Sequence, residues 1–241
     1  MRRILVVSAA LVTVAWGPRP ASAQTNIEID RVRPQLWVDY NPTVPLTSKW
    51  SLIGDVGVRS ELKADGWWRV VVRPGVEYKL SDVVRVGGGV GNFITGNDIA
   101  ADRWEIRPWQ GIAATWPNWK LPFHHFLRLE ERFDLDTQTW RSATSLRIRY
   151  LIGTSYRWGS FFWGSEFWEV SASLEMFGTL AGEQGQSREQ VRAALGIERS
   201  ASRAVRVRFE AVWQKRGLLF VSDQTVDDLF LRVRVYHEFL P

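Results

Sequence analysis

The side chains here with the most chemical capacity are arginines and carboxylates set two residues apart among apolar neighbours. Arg206, Arg208 and Glu210 alternate with Val205, Val207 and Phe209, and Arg232, Arg234 and Glu238 alternate with Val233, Val235 and Phe239. Arg147 with Arg149, the triplet Arg128, Glu130 and Arg132, and the set Arg69, Arg73 and Glu77 repeat the pattern. Glu169 opens the same alternation at 168–176, Arg59 and Arg107 belong to weaker versions of it, and Glu61, Arg85, Glu105, Glu175, Arg192 and Glu198 join by the same count. A guanidinium offers a planar fork of donors that fits carboxylates and phosphates. Charges of both signs in a confined space must pair or stay hydrated. The set predicts a cross-strand ion-pair lattice, with an arginine-walled polar path or solute site as the second reading. The arginines stand singly and do not form the clustered footprint of a nucleic-acid-binding surface.

Other candidates are sparse. His124 and His125 are adjacent, so on a strand they point to opposite faces and make a poor metal pair where three or four ligands are needed. No metal or cofactor is predicted. Serine catalysis needs a base and an acid beside the nucleophile. Ser145, Ser171 and Ser173 are candidate nucleophiles, with His124 or His125 as base, but no His-x-Ser pair occurs and no catalytic residue is assigned. Gly87, Gly88, Gly89 and Gly91 are followed by neither Lys-Ser/Thr nor a helix, so they are not a nucleotide loop. They are read as places where the sheet bends or a bulky inward side chain approaches the backbone.

The elements that would position the charges are strands. In 229–240 one face carries Leu229, Leu231, Val233, Val235, His237 and Phe239, and the other carries Phe230, Arg232, Arg234, Tyr236 and Glu238. A period of two sustained that long means strand, not helix. The grammar recurs at 68–80, 146–152, 168–176, 191–197 and 203–213, and more weakly at 50–61, 84–93, 104–116 and 126–133. A short stretch at 32–40 is ambiguous, and 41–49, with Pro42 and Pro45, reads as a linker. Short links at Ser81-Asp82, Pro117 to Lys120, Trp158-Gly159 and Ser200 to Ser202 alternate with longer polar ones, as turns and loops do in an outer-membrane barrel. Bacterial single-chain barrels have even strand counts. The eleven segments, with 25–31 as an added or extended first strand, therefore predict an all-β, antiparallel transmembrane β-barrel of about 12 strands, with 10 as the alternative.

Tryptophan supports a membrane setting. There are 14, and Trp67, Trp68, Trp104 and Trp140 fall beside the longer links, with Trp50, Trp116, Trp119 and Trp158 at the opposite strand ends. Two aromatic girdles are expected where rings sit at headgroup level. The chain has no cysteine, which excludes disulfides and thiolate chemistry. Arg2 and Arg3, the apolar run Ile4 to Trp16 and the small-residue site Ala21-Ser22-Ala23 predict a signal peptide over 1–23, leaving 24–241 as the barrel. Its removal takes Arg2, Arg3 and Arg19 and no acid, so the net charge falls from +5 to +2.

Several motifs resemble a known family. Leu36-Trp37-Val38-Asp39-Tyr40, Lys49-Trp50-Ser51-Leu52, Gly57-Val58-Arg59 and Arg107-Pro108-Trp109-Gln110 are similar to segments of DUF2490 proteins, a group of predicted outer-membrane barrels. So are His125 to Phe133, read as His…Arg-x-Glu-x-Arg, and the ending Arg232 to Phe239. The resemblance covers essentially the whole mature chain and implies a barrel and a location, but no activity, ligand or cofactor. The expected place is the bacterial outer membrane, with outer-membrane lipid, lipopolysaccharide and the barrel-insertion machinery as partners. The expected role is structural or the passive passage of small solutes. The alternatives are an outer-membrane lipid-modifying hydrolase and an exported soluble β-barrel that binds an apolar ligand. The sequence sets no oligomeric state.

Overall fold

A computed structural model describes residues 32–97, 102–116, 121–158, 167–182, 190–216 and 226–239. Eleven strands follow one another: β1 Val32–Pro45, β2 Trp50–Glu61, β3 Trp68–Lys79, β4 Val84–Gly96, β5 Arg103–Trp116 and β6 Phe123–Asp136, then β7 Ser142–Trp158, β8 Trp168–Gly182, β9 Gln190–Ser200, β10 Val205–Arg216 and β11 Val226–Glu238. Each pairs antiparallel with its neighbour, and β1 pairs parallel with β11 to close the barrel. All eleven segments with period-two patterning are strands, mostly longer at their ends than the pattern alone marks.

The ring closes with eleven strands, one fewer than the even count expected. In an up-and-down barrel an odd number leaves the first and last strands pointing the same way, so closure takes a parallel pair. Val32 to Thr43 register against Asp227 to Glu238 without interruption. A twelfth strand has no place in a closed ring, and residues 25–31 lie outside the described part. Following the register once around the ring returns to β1 displaced by about 14 residues. With ordinary strand spacing and rise, that shear gives a tilt of roughly 41° and a backbone radius of about 11 Å.

The linker expected over 41–49 is also corrected, because β1 runs through Pro42 to Pro45. Proline cannot donate to a ladder and is normally kept out of central strands. Here the ladder opens around it. The β1–β2 pairing skips from Tyr40↔Val56 to Thr43↔Ile53, bracketing Pro42. The β3–β4 pairing skips from Val72↔Asn92 to Gly75↔Gly89 beside Pro74, and β5–β6 skips from Ile106↔Phe133 to Trp109↔Glu130 beside Pro108. Three strands thus each carry an interior proline at a local gap in one ladder. A second link also differs: nine residues, not a tight turn at Trp158-Gly159, separate β7 from β8.

In the glycine-rich part of β4 a Cβ on Gly91 would lie 2.8 Å from Cε2 of Phe93, and its partner β3 carries a similar close approach. A Cβ on Gly75 would lie 2.8 Å from Cζ2 of Trp109 and 2.9 Å from the Gly88 carbonyl oxygen. The bare backbone there is what lets the Trp109 ring lie against the inner wall. Gly75→Val is expected to cost about 1–3 kcal/mol by overpacking, read as a lower urea midpoint of the refolded barrel. An unchanged midpoint would show that the ring moves aside freely.

Candidate functional site: the charged lumen

The polarity of a water-soluble core is inverted. Among the described residues seven hydrophobic side chains are buried, against eighteen polar or charged ones. Every strand exposes a large apolar side chain on the outside, among them Val38 on β1, Val58 on β2, Val72 on β3, Leu127 on β6, Leu195 on β9 and Leu231 on β11. Strand alternation produces both faces at once, because successive side chains point to opposite sides of the sheet.

Inside, the charges are joined. Glu130 on β6 is 2% exposed and gathers Arg147, Arg149 at 2.6 Å and Arg128 at 3.4 Å. Arg149 on β7 also holds Glu175 on β8, which takes Arg192 of β9 at 2.9 Å. Arg192 donates to the Gln214 side chain on β10 at 2.6 Å, and Gln214 donates to Asp228 on β11 at 2.8 Å. Gln35 on β1 donates to Asp228 at 3.1 Å and accepts from the Trp37 indole at 2.9 Å. One hydrogen-bonded chain therefore crosses seven adjacent strands, β6 through β11 to β1, including the parallel joint.

Further groups flank it. Glu105 takes Arg107 and Arg132, each at 2.5 Å. Asp39 takes Arg232 at 2.6 Å and Arg59 at 3.7 Å. Arg73 pairs with Asp55. Glu169, Glu198 and Glu210 form a further group with Arg206, Arg208 and Arg234. Replacing the hydration of so many buried charges takes such geometry, since an isolated ion would be strongly disfavoured.

Most of the charged set expected on the lumen face is drawn together in these groups. Three members sit apart from them. Arg69 donates to Thr95 at 2.6 Å, Glu77 meets Arg85 at 3.5 Å, and Glu238 is exposed at the rim. Two classes of interior residue escaped the sequence reading. The aspartates Asp39, Asp55 and Asp228 are nearly or fully buried partners of the lattice. Four aromatic rings, Trp37, Phe93, Trp109 and Phe177, are also buried, beside Phe230, which the alternation of 229–240 already places on the charged face. Guanidiniums lie over them: Arg107 is 3.8 Å from the Phe93 centroid, Arg59 3.9 Å from Trp37 and Arg128 4.0 Å from Trp109. Cation–π contact of this kind is strongest when desolvated. Parity was the signal that marks these rings, since Trp37 shares the count of Gln35 and Asp39, and Phe177 that of Glu175.

The remaining space lies toward the rim where β11 ends. A cavity of about 690 Å³ is lined by His124, Ser171, Ser173, Arg157, Arg206 and Arg234 among others, and a smaller one of about 230 Å³ by Asp55, Arg73, Arg85 and Trp109 among others. The larger is lined mainly by charged and hydroxyl-bearing side chains. The candidate serines fall in two places. Ser145 is buried on β7, paired with Arg132 of β6, eight positions along that strand from His124. His125 points outward to the Tyr150 hydroxyl at 2.8 Å. His124 shares the larger cavity with Ser171 and Ser173, but its Nδ1 meets the Thr115 hydroxyl at 3.1 Å.

On the outside, Trp50 and Trp116 lie at one rim and Trp68, Trp104 and Trp140 at the other, all exposed. Trp119 lies outside the described residues. No curated protein and no solved structure matches the chain. A family model does, over residues 34–217, described as a protein of unknown function. That span takes in β1 to β10, and with it the chain belongs to the DUF2490 family.

Proposed function

We propose that this chain is a bacterial outer-membrane β-barrel, delivered by a cleaved signal over 1–23, whose lumen is closed to bulk flow by its own ion pairs. Its role is structural, or the passage of small solutes only. The observation that carries the reading is the inversion of polarity: apolar side chains outside on all eleven strands and a charged network within. In hydrocarbon every backbone polar group needs an internal partner, and a closed ring supplies one. Strands of 11 to 17 residues at the tilt given above are long enough for the outward apolar band of about 25 Å that such barrels carry. The outer face would meet the acyl chains of lipid and lipopolysaccharide, with the two tryptophan levels near the headgroups.

Two measurements test this. The protein is expected to stay in the membrane pellet after high-salt and alkaline carbonate washes, and to migrate differently on gels before and after boiling. Release by the salt wash would overturn the membrane reading. In planar bilayers the purified barrel is expected to give no steady conductance of open-porin size; such a conductance would overturn the closed lumen.

A further inference from the structure

The larger cavity has unequal hydrogen-bonding chemistry. Beside it, the guanidiniums of Arg157, Arg206, Arg208 and Arg234 reach three carboxylates, Glu169, Glu198 and Glu210. Arg232, on the same wall, is held by Asp39 at 2.6 Å and stands 3.9 Å from Glu210, and this pair adds no net charge. A guanidinium carries about five N–H donors and a carboxylate about four acceptor positions. The group therefore has a surplus of donors and one net positive charge. Glu169 and Glu210 line the cavity together with the arginines, but the two signs differ in exposure. Glu198 is fully buried and Glu169 and Glu210 nearly so, whereas the side chains of Arg206 and Arg157 are 36% and 55% exposed. The hydroxyls of Ser155, Ser171 and Ser173 add neutral donors on the β7–β8 wall.

We propose that this cavity is a binding site for a small oxyanionic solute, one bearing a phosphate or carboxylate group, entering from the rim at which β11 ends. Forked guanidinium donors hold such groups in bidentate fashion. A cavity of about 690 Å³ suits a small organic molecule as well as a bare ion. The proposal rests on the barrel interior alone and holds whether or not the outside meets a membrane.

Titration calorimetry of the full-length folded protein at low ionic strength tests it, with inorganic phosphate and citrate as separate probes. Saturable binding of at least one is expected. Phosphate alone would indicate a phosphate-bearing ligand, citrate alone a carboxylate, and both the shared oxyanion chemistry. The double variant R157Q/R206Q is expected to weaken binding about tenfold or more, while its heat-modified gel mobility shows that the barrel is intact. R85Q, in the smaller cavity, serves as the control and is expected to leave binding unchanged. No saturable heat from either anion with the wild-type protein would overturn the proposal. So would an equal loss in R85Q, which would reduce the effect to diffuse attraction.

Discussion

Replacing Glu130 by alanine is expected to destabilise the barrel by about 3–5 kcal/mol, the cost of leaving buried charge without its partner. The carboxylate is almost wholly buried and is approached by Arg128, Arg147 and Arg149 from two strands. Arg149 keeps Glu175, but Arg147 has no second carboxylate among its described ion pairs. Urea unfolding of the refolded protein measures the effect, and a loss below about 1 kcal/mol would show that water repairs the site. The double variant E130L/R147L removes both members of one pair and leaves apolar side chains near the Phe177 ring. It is expected to be at least about 1 kcal/mol more stable than E130A, because an apolar pair often replaces a buried ion pair without loss. A double variant no better than the single one would mean that packing, not charge, dominates there.

The second large effect belongs to the parallel joint. Parallel pairing is slightly weaker per residue than antiparallel pairing, so the β1–β11 contact depends more on its inner side chains. Three contacts span or brace it: the Arg232–Asp39 ion pair, the Gln35–Asp228 hydrogen bond, and the stack of Trp37 on Phe230 at 4.1 Å. Asp39 is fully buried, and Gly57 makes room for it, since a Cβ there would sit 2.3 Å from the carboxylate. Asp39→Ala removes the carboxylate that Arg232 and Arg59 share, leaving Arg232 only Glu210 at 3.9 Å, and is expected to cost about 3 kcal/mol. The damage should be local. Amide exchange is expected to rise first in β1 and β11, whereas in E130A it should rise first in β6 to β8. A uniform loss of protection around the ring in both variants would show that the barrel opens only as a whole.

Much of this architecture can be read from residue order. Strands such as β10 and β11, where Arg206, Arg208, Arg232 and Arg234 alternate with valine, state both their conformation and their inner face. The lattice was legible to the same depth, because arginine and glutamate at one parity must meet across neighbouring strands. β1 was hard for a physical reason. Its prolines argue against a strand, and only the gap in the β1–β2 ladder beside Pro42 reconciles them with one. With β1 in doubt, Asp39, Gln35 and Trp37 had no face to belong to. The count failed through a rule about other barrels: evenness follows from antiparallel closure, and nothing in residues 32–45 announces a parallel partner 195 positions away. Which charges gather on which partner depends on the stagger between strands, a long-range quantity that no single segment carries.

The odd strand number also makes the molecule directional. In a barrel with an even count the chain comes and goes on one side, like a thread through a hem. Here Val32 begins at one rim and Glu238 ends at the other. The two ends of the described barrel therefore stand at opposite rims. In the membrane setting proposed above, a label joined at each rim would report two separate compartments from one molecule.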